Sequence, residues 1–331
     1  MLRSYRLNSN FVIAVSLVFL ITVPLGCHAQ SSNPADVSSV TQKAAEFDAA
    51  RAYAYVKKLV EFGPHPSGSE AIKKAQDYLE NELKGFGLQV STDAFNGETP
   101  RGPIAMKNII GELRGEKKDI VMITGHYDTK LQPGFVGAND GGSSAAAVLE
   151  TARVLSKTKP EYTLWFVLFD GEEAVVDWNA MGGRDNTYGS RHLASKLRED
   201  GTLARVRALV LFDMIGDKEL DIKREGESTP WMVDAIWKTA HSVGYQKYFL
   251  NSEQYISDDH LPFRDAGVPV VDLIDFNYGP SHSYWHTNLD TLDKISGESI
   301  RVVGDTVIRA LPEIFKRLNN PAGNAARPTS Q

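Results

Sequence analysis

The chain has 331 residues, 42% of them hydrophobic, a single cysteine and a formal net charge of −6. That length and apolar content support one large domain with a substantial core. An acidic balance with no lysine or arginine run argues against a nucleic-acid partner, because a phosphate backbone needs a basic face. Cys27 alone cannot close an internal disulfide, so no disulfide framework supports the fold.

The N-terminus reads as an export address. Arg3 and Arg6 precede an apolar segment from Phe11 to Leu25, followed by Gly26, Cys27, His28, Ala29 and Gln30. A charged start, a short apolar core and small residues at its end describe a signal peptide over residues 1–29. The apolar run falls short of the roughly 20 residues of a membrane span, so no stable span is expected in the mature chain. Gly26-Cys27 also resembles the end of a lipobox, but Pro24 and Leu25 fit that pattern poorly. The expectation is a periplasmic or secreted protein, with a lipid anchor at Cys27 as the alternative.

Residues 30–47, rich in Ser, Ala and polar side chains, read as a flexible lead-in. Asp48 to Glu61 has apolar positions at helical spacing, and the glycines and prolines of residues 63–68 stop it. Ser69 can cap a second helix through Ala75, Leu79 and Leu83. Gln89 to Phe95 and Met106 to Leu113 read as a hairpin joined by a loop from Asn96 to Pro103. Asp119 to Thr124 is a third strand, running into Gly125-His126-Tyr127-Asp128. After Asn139-Asp140-Gly141-Gly142, Ser143 or Ser144 is expected to open an alanine-rich helix pressed against a sheet.

The stretch from Thr163 to Trp178 organises the rest. Leu164 to Phe169 is a continuous apolar run, the pattern of a strand buried on both faces of a parallel sheet. It stops abruptly at Asp170-Gly171-Glu172-Glu173. Three carboxylates at one strand end repel one another unless a cation or a proton holds them. A loop from Val175 to Asn186 and a helix from Tyr188 to Leu197 follow. Val206 to Phe212 is another buried strand ending at Asp213, and Asp217 to Arg224 is read as a possible edge extension. Pro230 to Val243 is a helix, Val268 to Ile274 the last strand, and Ser299 to Leu318 a closing amphipathic helix. Alternating strands and helices predict a single-domain α/β/α sandwich around a mixed, mostly parallel twisted sheet over residues 48–318, with a flexible tail at 319–331.

The chemistry gathers where these strands end. His126, Asp140, Glu172, Glu173, Asp213 and His286 all follow strands or open the next helix, where open α/β sheets bind their ligands. Imidazole and carboxylate without cysteine suit zinc in a catalytic site, and two histidines weigh against calcium. Of two adjacent glutamates, one can bind the metal while the other stays free as a general base.

These motifs are similar to those of a known family. Gly125-His126-Tyr127-Asp128, Asn139-Asp140-Gly141, Asp170-Gly171-Glu172-Glu173-Ala174 and Asp213 resemble the zinc-dependent exopeptidases of the leucyl-aminopeptidase type. Within that fold the chain looks closest to the animal-type glutaminyl cyclases. The marks are Phe135 to Asp140, Trp178, Tyr188 to Ala194, Asp258 to Phe263, Gly267 to Val270 and Trp285-His286-Thr287, spread from about Asp48 to Leu318. The resemblance implies an enzyme that cyclises the N-terminal glutamine of peptides or proteins to pyroglutamate. It implies one zinc per chain on Asp140, Glu173 and His286, Glu172 as acid/base, Asp258 bound to the reacting groups and Asp213 in the proton network. His126 and Asp213 match second-metal ligands of the aminopeptidases, the alternative activity. Trp178, which alone reads as a packing residue, becomes with Trp285 a wall of the substrate pocket. Asp272 stands where the animal enzymes carry a histidine, leaving the outer hydrogen-bond network open, and their disulfide is missing. Asp128 and Asp259 read as structural hydrogen-bonding groups and His260 as a buried partner of a carboxylate.

Overall fold

The computed structural model describes residues 46–320; the segments read as signal peptide, flexible lead-in and C-terminal tail lie outside them, apart from Glu46, Phe47, Asn319 and Asn320. Helix α1 (Ala49–Glu61) is capped by the Asp48 carboxylate, which accepts from the amides of Ala50 and Arg51. Ser69 caps α2 (Glu70–Gly85) as expected. Next come β1 (Gln89–Thr99), β2 (Gly102–Leu113), β3 (Lys117–His126) and α3 (Gly142–Leu155). They are followed by β4 (Tyr162–Phe169), the short helical turn α4 (Ala180–Gly183), α5 (Tyr188–Glu199) and β5 (Val206–Asp213). The chain closes through β6 (Ile222–Glu225), α6 (Pro230–Ser242), β7 (Phe249–Gln254), α7 (Leu261–Asp265), β8 (Val270–Ile274) and α8 (Gly297–Asn319).

Six strands form one sheet in the order β1-β2-β4-β3-β5-β8. The pairs β3–β4, β3–β5 and β5–β8 are parallel, whereas β2 is antiparallel to both of its neighbours. The mixed, mostly parallel sheet is therefore as expected, with β2 the reversed strand. Its side chains alternate between two cores with the two-residue period of a strand. Val121, Ile123, Phe166, Val210 and Phe212 face the larger core beneath α1, α2, α3, α6 and α8. Ile120, Met122, Val167, Leu209 and Leu211 face the smaller one beneath α5 and α7. Because both faces are covered, these strands read as unbroken apolar runs. Ala145, Ala146 and Ala147 are fully buried, so α3 packs directly on the sheet.

The structure corrects several expectations. The loop foreseen from Asn96 to Pro103 is a tight hairpin, since Thr99 pairs with Gly102 and the ladder runs unbroken behind it. Gly141, not a serine, caps α3, and Ser143 Oγ instead donates back to the Asn139 carbonyl. The segment read as an edge extension does not join the main sheet. Its last residues form β6, which pairs in parallel with β7 in a separate two-stranded sheet.

Candidate active site

Strands β3, β4, β5 and β8 run in the same direction, so their carboxyl ends share one edge of the sheet. That edge brings the strand-end residues together. Asp140 is the centre. Its Oδ1 lies 3.2 Å from His126 Nε2, and its Oδ2 lies 3.3 Å from His286 Nε2. Glu173 Oε2 is also 3.3 Å from His286 Nε2, and Asp213 Oδ1 is 3.2 Å from His126 Nε2. Two donor groups result, Asp140–Glu173–His286 and His126–Asp140–Asp213, each with its ligand atoms within 4.8 Å of one another and with Asp140 shared.

Asp170 does not join them. At Gly171 the backbone takes φ +73°, where a β-carbon would fall 2.7 Å from Met106 Sδ; glycine lets the chain turn there. The Asp170 carboxylate is directed inward, accepting from Ser67, Gln76, Tyr127 and the Lys107 amide. Only Glu172 and Glu173 reach the site, and Asp128 fixes both. Its Oδ1 accepts from the Glu172 amide at 3.1 Å and its Oδ2 from the Glu173 amide at 3.3 Å. Asp290 does the same for the Asp140 turn, accepting from the amides of Asn139 at 2.8 Å and Asp140 at 3.0 Å and from the Tyr278 hydroxyl at 2.7 Å. Asn139 ties that turn to the end of β5 through the Met214 carbonyl and the Gly216 amide. His286 is held at φ +52°, a strained value for a residue with a side chain. Trp285 stacks on it at 4.0 Å between ring centres.

The donors fit a divalent cation on their own chemistry. Asp140 Oδ2 and Glu173 Oε1 are buried without a hydrogen bond, which costs free energy unless a cation meets them. Burial works against a charged His286, yet Asp140 and Glu173 outweigh it and lift the imidazole to about 9. The group thus demands positive charge at its centre. Two carboxylates and one imidazole, with His286 and Asp140 lining an open cavity, are the donor types from which catalytic zinc sites are built.

Glu172 stands apart from the Asp140–Glu173–His286 group. It lines the same cavity of about 350 Å³ as Asp213, Asp258, Trp178, Trp285 and His286. Burial raises its carboxyl well above the ordinary glutamate range, and Asp258 and Glu173 add to this against the pull of His126. Both tryptophans do line the cavity. Reading the sequence overlooked Met214, Ile256, Ile274 and Phe276, which complete its walls; the first three flank Asp213 or Asp258 or end β8, and that adjacency was the available signal. Tyr255, also at the cavity, gave none.

Behind the cavity, Asp258, His260 and Asp272 place their donor atoms within 4.8 Å of one another. His260 Nε2 lies 3.3 Å from Glu225 and Nδ1 lies 3.7 Å from Asp272, so His260 is the buried partner of carboxylates that was expected. Asp259 accepts from Ser190, a structural role.

Fold and site together define an α/β enzyme of the exopeptidase-like fold, with residues at the strand ends that could hold a metal ion. The chain belongs to peptidase family M28, whose pattern matches residues 108–311. Glutaminyl-peptide cyclotransferase of Bos taurus is 32% identical over 285 residues, covering 74% of this chain and 77% of that one. The crystal structure of an Acidobacteriales bacterium glutaminyl cyclase superposes with a TM-score of 0.78 at 38% identity, over 87% of this chain and 99% of that one. A structure described as a leucine aminopeptidase precursor from Bacteroides thetaiotaomicron superposes with a TM-score of 0.74 at 29% identity, over 81% and 98%.

Proposed function

We infer that this chain is a zinc-dependent glutaminyl-peptide cyclotransferase, closing the N-terminal glutamine of peptides or proteins to pyroglutamate with release of ammonia. One observation carries the reading beside the cyclase relatives. A buried glutamate outside the Asp140–Glu173–His286 group, Glu172, sits in a cavity walled by Trp178 and Trp285. Asp140, Glu173 and His286 would hold one zinc ion, which supplies Lewis acidity to the side-chain carbonyl. Glu172 takes a proton from the substrate's α-amine as that nitrogen bonds to the side-chain carbonyl carbon. The carbon–nitrogen bond of the side-chain amide then breaks, and Glu172 gives the proton to the departing ammonia. Asp258, which lines the cavity and whose Oδ2 is buried and lacks a hydrogen bond, would accept from the reacting nitrogen. The nucleophile belongs to the substrate, so the protein's task is to fold glutamine back on itself and keep water out, which apolar tryptophan walls serve.

A second reading, a zinc aminopeptidase, draws on the His126–Asp140–Asp213 group, which offers a place for a second cation. Substrate comparison separates the two. The purified protein is expected to release ammonia from Gln-Xaa peptides and yield pyroglutamate while barely hydrolysing a leucyl chromogenic amide; the opposite ranking moves it to the peptidases. Among the described residues no helix is long and apolar enough to cross a membrane. Export to the periplasm or beyond, argued from residues 1–29, completes the proposal.

A further inference from the structure

Among the described residues, the exposed large apolar side chains include Leu131, Val176 and Leu289 on loops, Met181 in α4, and Tyr255. Tyr255 is the most exposed of them at 68%. It lies three residues before Asp258, at the cavity whose inner walls are Ile256, Phe276 and the two tryptophans.

Its place is prepared by the end of β6. A β-carbon on Gly226 would fall 2.4 Å from Tyr255 Cε1 and 2.6 Å from Cζ, so the ring rests directly on glycine backbone. The residues on either side are tied to the same turn. Gly226 donates its amide to the Gln254 carbonyl at 2.8 Å, and Glu225 Oε1 accepts from the Ile256 amide at 3.3 Å. Glu225 is itself fixed by the Glu227 amide and the Ser228 hydroxyl. An aromatic ring seated this firmly, yet left largely in water, has an apolar face to offer whatever projects from the cavity.

We propose that Tyr255 selects the residue that follows the N-terminal glutamine, favouring an aromatic or long apolar one, and that Gly226 and Glu225 are the positioning residues that seat it. The inference rests on the cyclotransferase reading. With glutamine folded against the inner walls, the next residue emerges at the mouth, beside this ring. Aromatic pairing of this kind changes binding by roughly three- to tenfold.

The test is the ratio of kcat/KM for Gln-Phe-amide over Gln-Gly-amide, measured on the zinc-loaded full chain. Wild type is expected to favour Gln-Phe-amide. In Tyr255→Ala the ratio falls roughly three- to tenfold, through KM and not kcat, and Tyr255→Phe retains it. Gly226→Ala lowers the ratio in the same direction, and combining it with Tyr255→Ala brings no further fall. An unchanged ratio in Tyr255→Ala, or an equal loss in Tyr255→Phe, overturns the proposal. If wild type makes no pyroglutamate and instead cleaves the peptide bond, the cyclotransferase reading fails. The same ratio, read on the amide released, then decides Tyr255 separately.

Discussion

Gly171 turns the chain just before two adjacent glutamates, and the turn gives them different surroundings. Glu173 Oε2 lies 3.3 Å from both His286 and Lys130 Nζ, while Glu172 faces the cavity. If Glu172 carries the proton, Glu172→Gln should keep the fold and the bound zinc but lose roughly 10²–10⁴-fold in kcat, the usual worth of a positioned acid or base. Metal analysis alongside initial rates checks it; a variant that loses zinc, or keeps its rate, removes Glu172 from that role. That His126, Asp140, Glu173, Asp213 and His286 come together was legible because each sits at or beyond a strand end or at a helix start, where residue type and position point the same way. Asp170 was not, because a sequence does not show which way a side chain leaves a chain about to bend at a left-handed glycine. Tyr255 was illegible for another reason. Its seat is Gly226, just past β6, and Tyr255 follows β7, so the two meet only because those strands pair across a long stretch of chain.

At the level of elements, α3 shows how backbone conformation and chemistry are coupled. Its cap is Gly141 at φ +87°, immediately after Asp140, and a β-carbon there would fall 2.7 Å from the Asp128 carbonyl oxygen. Asp128 in turn holds the amides of both glutamates. Gly141→Ala is therefore expected to cost about 1–3 kcal/mol from backbone strain and overpacking, and to weaken zinc retention as well. Gly244, at φ +85° with nothing within 4 Å of a β-carbon, isolates the strain alone. Urea melts of Gly141→Ala and Gly244→Ala, with metal analysis, separate the contributions; equal losses in both would dismiss the contact with Asp128. Reading Ser143 or Ser144 as the helix opening failed because the turn geometry required glycine where the sequence also offered hydroxyls. Strands β3, β4 and β5 were readable from their unbroken apolar runs, since helices cover both faces. By contrast β6 and β7, with sequences IKRE and FLNSEQ, carry too little apolar alternation to announce a sheet. At five residues, α7 is shorter than any window in which helical periodicity shows.

On the scale of the whole molecule, the site is a clasp between parts of the fold that are distant in sequence. Asp140 precedes α3, Glu173 follows β4, and His286 lies on the loop after β8, an edge strand of the six-stranded sheet. Asp290, from that same loop, clamps the Asp140 turn from the other side. A cation that binds the folded chain and not the unfolded one stabilises it by mass action, about 2.7 kcal/mol at a free concentration one hundred times its Kd. For a domain of about 275 residues, at about 2.1 cal/mol/K per residue, that corresponds to roughly 5 °C in Tm. Chelation should thus lower the Tm of the wild type by about that amount, and returning zinc should restore it. Asp140→Ala, which removes the residue shared by both candidate metal groups, should melt near the chelated wild type and respond to neither treatment. The hydrogen bonds that Asp290 makes are to backbone amides and the Tyr278 hydroxyl, so they survive that substitution and keep the variant folded. A chelator-insensitive wild type, or an Asp140→Ala variant that still gains from zinc, would show that the strand ends are held by the protein's own bonds and that the cation sits elsewhere.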